Sequence, residues 1–278
     1  MVSSIKTDKQ QIAQCFSKAA SHYDHHASIQ RYSGDKLMYL ARHQAGDRVL
    51  DAGCGTGYFS QKWQQQGRFV IALDLSHAML QVARQQQRAN CYLQSDIEHC
   101  ALIPQARQQQ RANCYLQSDI EHCALIPHSI DIVFSNLAMQ WCDDLAIAVN
   151  SLMSVVNPQG ALYFSTLATS TLQEVRDAWQ FLDNHQHVNP FLSYQQIEQA
   201  CSGFQYQFVT EKVTEQYASL PELFASLKGV GANFVQGERP KGLMTRQKLR
   251  QLEQVWRKTD SGKYLLTYEL VIGKISHG

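Results

Sequence analysis

The sequence has 278 residues, of which 44% are hydrophobic and 18% are charged, as in a globular protein with a sizeable core. The formal net charge of +1 excludes a nucleic-acid-binding protein that acts through bulk positive charge. The amino terminus lacks the apolar region of an export signal, and no apolar run is long enough to span a membrane. We therefore expect a cytoplasmic protein without nucleic-acid or membrane partners. Its eight cysteines include no C-x-x-C pair, so we expect reduced thiols and no metal site.

Residues 8–43 predict two helices with a break near Tyr23, because apolar residues recur at helical spacing on either side of it. The segment around the break, FSKAASHYDHHA, has two interpretations that the residues alone do not separate. It is either a helix-loop-helix packed on a sheet or a lid whose Tyr23 closes over a ligand.

A glycine-rich turn follows in the sequence RVLDAGCGTGYFS. A short buried strand leads into Asp51, then Gly53, Gly55 and Gly57 occupy every second position, and a helix begins. Glycines let the backbone turn tightly and let a ligand lie against bare main chain. A dinucleotide fingerprint would need glycine in place of Tyr58, and a Walker loop would need a Gly-Lys-Ser/Thr ending. Both of those ligand classes are therefore disfavoured.

Strand-helix alternation continues after the turn and predicts a doubly wound parallel sheet with helices on both faces. The strand FVIALDLS ends in Asp74, a carboxylate that can accept hydrogen bonds from both hydroxyls of a ribose. Ser76 is expected to cap the next helix. Further strands are predicted at 131–136, 160–167, 204–210 and 267–275, and further helices at 145–156, 171–184, 193–201 and 218–234, with a last helix before the final strand. The two late strands fit an antiparallel hairpin at the sheet edge.

The sequence ARQQQRANCYLQSDIEHCALIP occurs at residues 83–104 and again, unchanged, at 106–127. Solenoid repeats diverge and number three or more, so this tandem copy indicates a recent duplication or a sequence-assembly artefact. Each copy offers a strand ending in an acid, but the sheet has room for one strand there. Copy one follows a complete amphipathic helix through a short connection, which costs less closure entropy. We therefore place copy one in the sheet and copy two in a surface excursion.

The segments FSKAASHYDHHASIQ, LDAGCGTGYFS, ALDLSHAML, SDIEHCALIP, SNLAMQW, SLKGVGAN and LTYELVIGKI resemble the malonyl-acyl-carrier-protein O-methyltransferases of biotin synthesis. These belong to the class I S-adenosylmethionine-dependent methyltransferases. The likeness spans the chain except for one repeat copy, which departs from the family pattern. It implies a single α/β domain with a mostly parallel, seven-stranded, Rossmann-like sheet. Its parts are a helical lid at 1–45, a cofactor-binding core at 46–210, a substrate-side insertion at 211–262 and a last strand at 263–278.

The resemblance further implies an activity: methyl transfer from S-adenosylmethionine to the free carboxylate of malonyl-[acyl-carrier protein], giving the methyl ester that primes pimeloyl synthesis. The cofactor-binding residues that it implies are Asp51, Gly53, Cys54, Gly55 and Gly57 for the amino-acid part, Asp74 and Leu75 for the ribose, and Asp96 and Ile97 for the adenine. Asp119 and Ile120 replace the last pair if copy two lies in the sheet. Tyr23 and Asn136 are expected where the methyl group is transferred, and Asn136 also beside the cofactor.

Six cations stand against the single acid Glu238 in a late stretch of the chain. They are Lys228, Arg239, Lys241, Arg246, Lys248 and Arg250. One interpretation is a solvated helix face. With the resemblance, the stretch becomes a candidate for docking the acidic, malonyl-loaded acyl carrier protein on a monomeric enzyme.

Two other functions stay open. The first is methylation of another small molecule, such as a quinone or a free dicarboxylic acid. The second is a non-catalytic S-adenosylmethionine-binding regulator. The sequence shows no evident general base near Asn136, which favours a carboxylate acceptor because such a group is already ionised at neutral pH.

Overall fold

The computed structural model describes residues 9–94, 125–183, 185–230 and 245–278. The elements in chain order are α1 (Lys9–Ala19), α2 (Tyr23–His26), α3 (Ser28–Ala41), β1 (Arg48–Ala52), α4 (Tyr58–Gln65), β2 (Phe69–Asp74), α5 (His77–Gln85), β3 (Cys91–Gln94), β4 (Ile130–Asn136), α6 (Leu145–Val155), β5 (Val156–Leu167), α7 (Gln173–Gln180), α8 (Tyr194–Ala200), β6 (Gln205–Tyr217), α9 (Leu220–Gly229), α10 (Arg246–Val255) and β7 (Tyr264–Ser276). A 3₁₀ turn, Met139–Trp141, follows β4. Within the described ranges, no helix is long and apolar enough to cross a membrane.

Seven strands form one sheet in the order β3-β2-β1-β4-β5-β7-β6. The strands from β1 to β5 run parallel, and Leu50 of β1 lies between Ile71 of β2 and Val133 of β4. Strand β7 is antiparallel to both β5 and β6. The predicted doubly wound, mostly parallel sheet with an antiparallel hairpin at its edge is confirmed.

The central strands bury side chains on both faces of the sheet, as parallel strands covered by helices do. In β4, Phe134 packs in the core beneath α3 and α4, whereas Val133 packs in the core beneath α6. Trp63 of α4 meets Phe134 edge to face, with ring centroids 5.8 Å apart. Because both faces are filled, polar side chains that follow a strand gather at the carboxyl edge of the sheet.

Local capping explains where several predicted helices begin. Ser76 caps α5, since its Oγ accepts the Met79 N–H at 3.3 Å. Asp144 caps α6 by accepting the N–H of Ala146 at 2.7 Å. Ser193 starts α8 with a reciprocal capping box. These side chains satisfy backbone donors that the first helical turn leaves unpaired.

Several predicted boundaries are wrong. Helix α9 ends at Gly229 rather than at 234, and β7 begins at Tyr264 rather than at 267. Val156 was predicted to extend α6, but it is extended and pairs with Ile130. Helix α7 is shorter than the predicted 171–184. Strand β6 runs seven residues beyond Thr210, because it pairs with β7 along its whole length. The segment between the last two strands therefore begins after Tyr217.

The two copies of the repeat contribute different parts of the described structure. Copy one supplies β3, whose Cys91 pairs with Ile71 of β2, so the predicted placement of copy one in the sheet is confirmed. The end of copy two, from Leu125, leads into β4, and Leu125 packs against the core beneath α6. The expected excursion of copy two, residues 106–127, falls mainly on 106–124, outside the described residues. A single copy contains both the β3 sequence and the Leu-Ile-Pro that precedes β4.

Deleting Gln105–Pro127 should therefore preserve the fold and keep or raise its stability. The deletion leaves one full copy joined to His128 and retains every residue type that β3 and Leu125 contribute. It also shortens the chain between β3 and β4 by 23 residues, which lowers the entropy cost of joining the two strands. Thermal unfolding and cofactor titration of the shortened protein check this expectation. Loss of folding or of cofactor binding would show that the second copy is structurally required.

Candidate active site

Three polar side chains meet at the carboxyl edge of the sheet because three parallel strands end there. Asp51 lies near the end of β1, Asp74 ends β2 and Asn136 ends β4. Asp74 is bonded through both oxygens: Oδ2 accepts the Gly55 N–H at 2.8 Å, and Oδ1 accepts the Ser76 N–H at 2.7 Å. The carboxylate predicted at the end of β2 thus holds the glycine turn against the start of α5.

The three glycines of the turn have different tasks. Gly53 and Gly55 have φ of 79° and 56°, a region that side chains rarely adopt, and both line the cleft described below. Gly57 faces the protein instead. A Cβ there would lie 2.9 Å from the Ala83 Cβ and 3.1 Å from the Arg88 Cβ. The third glycine therefore leaves room for the side chains of Ala83 and Arg88.

Asp51 is only 2% exposed, and its Oδ2 accepts the Ser60 hydroxyl at 2.5 Å. Burial raises its pKa to about 7, against the opposing effect of the Ser60 hydrogen bond, and the charge of Asp74 adds to the rise. Burial likewise raises the pKa of Asp74 to about 6. Both acids therefore change protonation near neutral pH, and charge on either makes charge on the other less favourable.

A cleft along this edge has two chambers. The outer chamber is lined by Asp74, Leu75 and Met79 on the core side and by Ile12 and Phe16 of α1. The inner chamber lies beyond the glycine turn and is lined by residues that include Asp51, Cys54, Tyr58, Gln30 and Arg31. Gly53, Gly55, Tyr23 and Asn136 border both chambers. Because the two chambers share these four residues, a single ligand can extend from one chamber into the other.

A third space, the apolar cavity, adjoins the cleft. Its walls include Leu167, Trp179, Phe191, Phe224 and Tyr268, and its polar lining includes Gln140, His187 and Lys228. Phe16, Leu137 and Trp141 line both the outer chamber and this cavity. Tyr23 borders all three spaces. A group held in the cavity would therefore meet a ligand in the cleft beside the Tyr23 ring.

Helix α2 places Tyr23 over the glycine turn. A Cβ built on Gly55 would lie 3.8 Å from Tyr23 Cε1. The next residue, Asp24, accepts the Thr56 hydroxyl at 2.6 Å and an Arg88 N–H at 3.1 Å, while Arg88 also donates to the Thr56 carbonyl at 2.9 Å. This Asp24–Thr56–Arg88 network fixes α2 on the turn and favours the lid interpretation of the segment.

Burial, followed by the nearby carboxylates of Asp74 and Asp24, raises the pKa of Tyr23 well above its ordinary value. The phenol is therefore protonated at neutral pH, so it is able to donate a hydrogen bond but not to serve as a base.

Asn136 is held on several sides. Its Oδ1 accepts hydroxyls from Ser33 at 2.7 Å and Ser165 at 2.8 Å, and its Nδ2 donates to the Gln30 carbonyl at 2.8 Å. These bonds tie α3 to β4 and β5 at the point where the outer and inner chambers meet. Leu137, the next residue, has φ of 48° and separates the cleft from the apolar cavity.

Some of the predicted site residues are not among those that the structure describes. Asp96, Ile97, Asp119, Ile120, Arg239 and Lys241 lie outside the described residues. Lys228 lines the apolar cavity, as above. Arg246 and Arg250 are exposed one turn apart on α10, whereas Lys248 is half-buried. Among the described residues, no cluster of His, Cys, Asp and Glu side chains is arranged to hold a metal ion.

Sequence reasoning missed Gln30, Arg31, Gln140 and His187 as lining residues. Gln30 lies at the end of the segment FSKAASHYDHHASIQ and Arg31 directly after it, and Gln140 lies inside SNLAMQW. Both segments were noticed for their resemblance, but nothing in their spacing indicated which side chains face a cavity.

Comparison with known proteins agrees with this architecture. The profile of a family described as "Methyltransferase domain" matches residues 23–211. A malonyl-[acyl-carrier protein] O-methyltransferase of Yersinia pestis is 42% identical over 98% of this chain and 92% of its own length, and one of Serratia marcescens is 41% identical over 96% of each chain. The chain belongs to the malonyl-[acyl-carrier protein] O-methyltransferase family. The resemblance found in the sequence is confirmed.

The fold of this family member also recurs in distant solved structures. The YcgJ protein of Bacillus subtilis superposes with a TM-score of 0.57 at 15% identity, covering 89% of this chain and 99% of that protein. A putative methyltransferase from Bacillus halodurans superposes with a TM-score of 0.54 at 17% identity, covering 87% and 96% of the two chains. These likenesses support the fold alone.

The raised pKa of Asp74 predicts how ligand affinity in this methyltransferase depends on pH. A ribose hydroxyl donates best to an ionised carboxylate, so lowering the pH from 7 to 5 should weaken binding of S-adenosylhomocysteine about tenfold, one decade for each unit below the pKa of about 6. Titration calorimetry across this range measures it. Asp74→Asn should bind weakly and lose the dependence below pH 6, whereas Asp51→Asn should retain it. An unchanged pH profile in Asp74→Asn would contradict the assignment.

Proposed function

We propose that this protein transfers the methyl group of S-adenosylmethionine to the free carboxylate of a malonyl group carried on acyl carrier protein. The product is the malonyl methyl ester that primes pimeloyl synthesis for biotin. The nearly full-length relatives support the substrate. The observation that carries the reaction is the meeting of cleft and apolar cavity at Tyr23. We further propose that the enzyme acts as a monomer.

The cleft residues fit S-adenosylmethionine. The Asp74 oxygens have lone pairs left for ribose hydroxyls after their bonds to Gly55 and Ser76. Gly53 and Gly55 present bare backbone in a conformation that a side chain would strain, which suits the amino-acid part. When bound, the cofactor supplies an electrophilic methyl group on a sulfonium, which is transferred in line to a nucleophile.

The protein contributes position rather than proton transfer. The malonyl carboxylate, with a pKa of about 4, is ionised at neutral pH, so no residue needs to deprotonate it. Tyr23 stays protonated and donates a hydrogen bond near the transfer point, while Phe16, Leu137 and Trp141 exclude water there. Holding two reactants in line inside such walls replaces a costly encounter in solution.

The carrier protein is proposed to dock on α10. This helix packs against α7, which contributes Val175 and Trp179 to the wall of the apolar cavity. Phe224 of α9 meets Trp256, at the end of α10, edge to face with ring centroids 5.7 Å apart. The exposed Arg246 and Arg250 therefore lie on a helix whose neighbours form part of the cavity wall. Lys228 lines the cavity itself. An acidic carrier would be steered toward such cations.

A methyl-transfer assay with labelled cofactor tests the function. We expect methylation of malonyl-[acyl-carrier protein] with a higher kcat/KM than of malonyl-CoA, and little methylation of free malonate. Preference for free malonate would favour a small-molecule methyltransferase. Tight cofactor binding without turnover on any of the three would favour a regulator.

Charge reversal separates carrier docking from support of the fold. Arg246→Glu/Arg250→Glu should raise the KM for malonyl-[acyl-carrier protein] about tenfold at low salt and less at high salt, because screening weakens the attraction. The KM for malonyl-CoA should change much less. A matched variant, Arg42→Glu/Lys212→Glu, reverses two exposed cations on other elements and should leave both constants nearly unchanged. Equal losses on both substrates would remove the docking assignment.

A further inference from the structure

Among the described residues, two polar atoms on adjacent residues of α3 are buried without a hydrogen-bond partner. They are the Oε1 of Gln30 and the Nε of Arg31. Both residues line the inner chamber of the cleft, beside Gly53 and Gly55. A buried donor or acceptor without a partner costs free energy, so such atoms in a cleft indicate groups that a ligand satisfies.

The guanidinium of Arg31 is held in a fixed plane. Its Nη2 donates to the Asp24 carbonyl at 2.5 Å, and its central carbon lies over the Tyr58 ring, 5.0 Å from the centroid. The backbone hydrogen bond and the aromatic ring hold two sides of the guanidinium, and its buried Nε–H makes no hydrogen bond to any described residue. The chamber therefore offers a preorganised cationic donor, and beside it the neutral acceptor of Gln30.

We propose that these two side chains bind the zwitterionic amino-acid end of the cofactor, Arg31 its carboxylate and Gln30 its ammonium group. This inference rests on the proposed function. The pairing follows from complementarity: an amino acid places an anionic acceptor and a cationic donor on one carbon, and the inner chamber presents one donor cation and one acceptor. Arginine suits a carboxylate because its N–H groups match the geometry of the two oxygens.

The assignment divides recognition between two parts of the chain. The core binds the ribose through Asp74, whereas α3, part of the N-terminal helical segment, binds the amino-acid end. A ligand that lacks the amino-acid end should therefore be insensitive to changes at Gln30 and Arg31.

Titration calorimetry with three ligands tests this division. S-Adenosylhomocysteine carries both charged groups, its decarboxylated analogue retains the ammonium, and 5′-methylthioadenosine has neither. Arg31→Gln should weaken S-adenosylhomocysteine about 10- to 100-fold, the effect of losing charged hydrogen bonds, and change the other two less than about twofold. Arg31→Lys should restore part of the loss.

Gln30→Leu should weaken S-adenosylhomocysteine and the decarboxylated analogue but spare 5′-methylthioadenosine. Arg42→Gln is the matched control, since among the described contacts the side chain of this exposed arginine, directly after the same helix, meets only Tyr39, through its carbonyl and its ring. It should change none of the affinities.

Two outcomes would overturn the inference. Equal losses on all three ligands in Arg31→Gln would mean that Arg31 only supports the lid, and an unchanged affinity for S-adenosylhomocysteine would mean that it does not touch the ligand. If the unaltered protein bound none of the three ligands, the proposed function itself would fail, which is a different result.

Discussion

The hydrogen bond from the Gly55 N–H to the Asp74 carboxylate is the contact on which the cleft depends. It is 2.8 Å long and joins the end of β2 to the turn that follows β1, while the second carboxylate oxygen holds the start of α5 through Ser76. The turn can make this contact because Gly53 and Gly55 adopt positive φ. One side chain thus sets the turn, a helix start and the expected position of the ribose. The sheet makes this possible by ending β1 and β2 at the same edge.

The same contact has an electrostatic cost. Burial raises the pKa values of Asp51 and Asp74 above those of the unfolded chain, so their contribution to stability is largest when both are protonated. It is lost as the pH rises through about 6 for Asp74 and about 7 for Asp51. At neutral pH the free protein therefore keeps at least one poorly solvated carboxylate at the cleft. A ligand that brings hydroxyl donors to Asp74 offsets this cost, which explains why an acid at this position favours binding although it does not favour folding.

Much of the fold could be predicted because its causes are local. Apolar runs that alternate with helical segments predict β1 to β5. The caps are local as well, since Ser76 and Asp144 each accept hydrogen bonds from amides two or three residues away. The errors have non-local causes. Strand β6 is extended by pairing with β7, some fifty residues later in the chain, and Val156 is drawn into the sheet by Ile130. Sequence periodicity carries no information about such partners.

The site was predictable to the same extent. The glycine turn and Asp74 follow directly from a strand-turn-helix pattern, and the structure places both at the cleft. Gly57 shows the limit of that pattern: its spacing matches the ligand-facing glycines, yet it faces Arg88. Gln30 and Arg31 could not be singled out, because their partnerless atoms arise only once α3 packs across the turn and Asn136 bonds to the Gln30 carbonyl, more than a hundred residues away in the sequence.

Arg88 also decides how the duplication bears on the site. It belongs to copy one, and it connects Asp24 of α2 to Thr56 of the turn while filling the space that Gly57 leaves. The connection from α5 to β3 is short, so the copy that enters the sheet is also the copy whose arginine reaches α2. The core beneath α6 also needs the last residues of a repeat copy directly before β4, because Leu125 packs against it there. The sequence of a single copy meets both needs, because its first half supplies Arg88 and β3 and its last residues supply the leucine that precedes β4. The elements that the structure describes therefore use the sequence of one copy only once, with β3 and Arg88 taken from copy one and Leu125 from copy two.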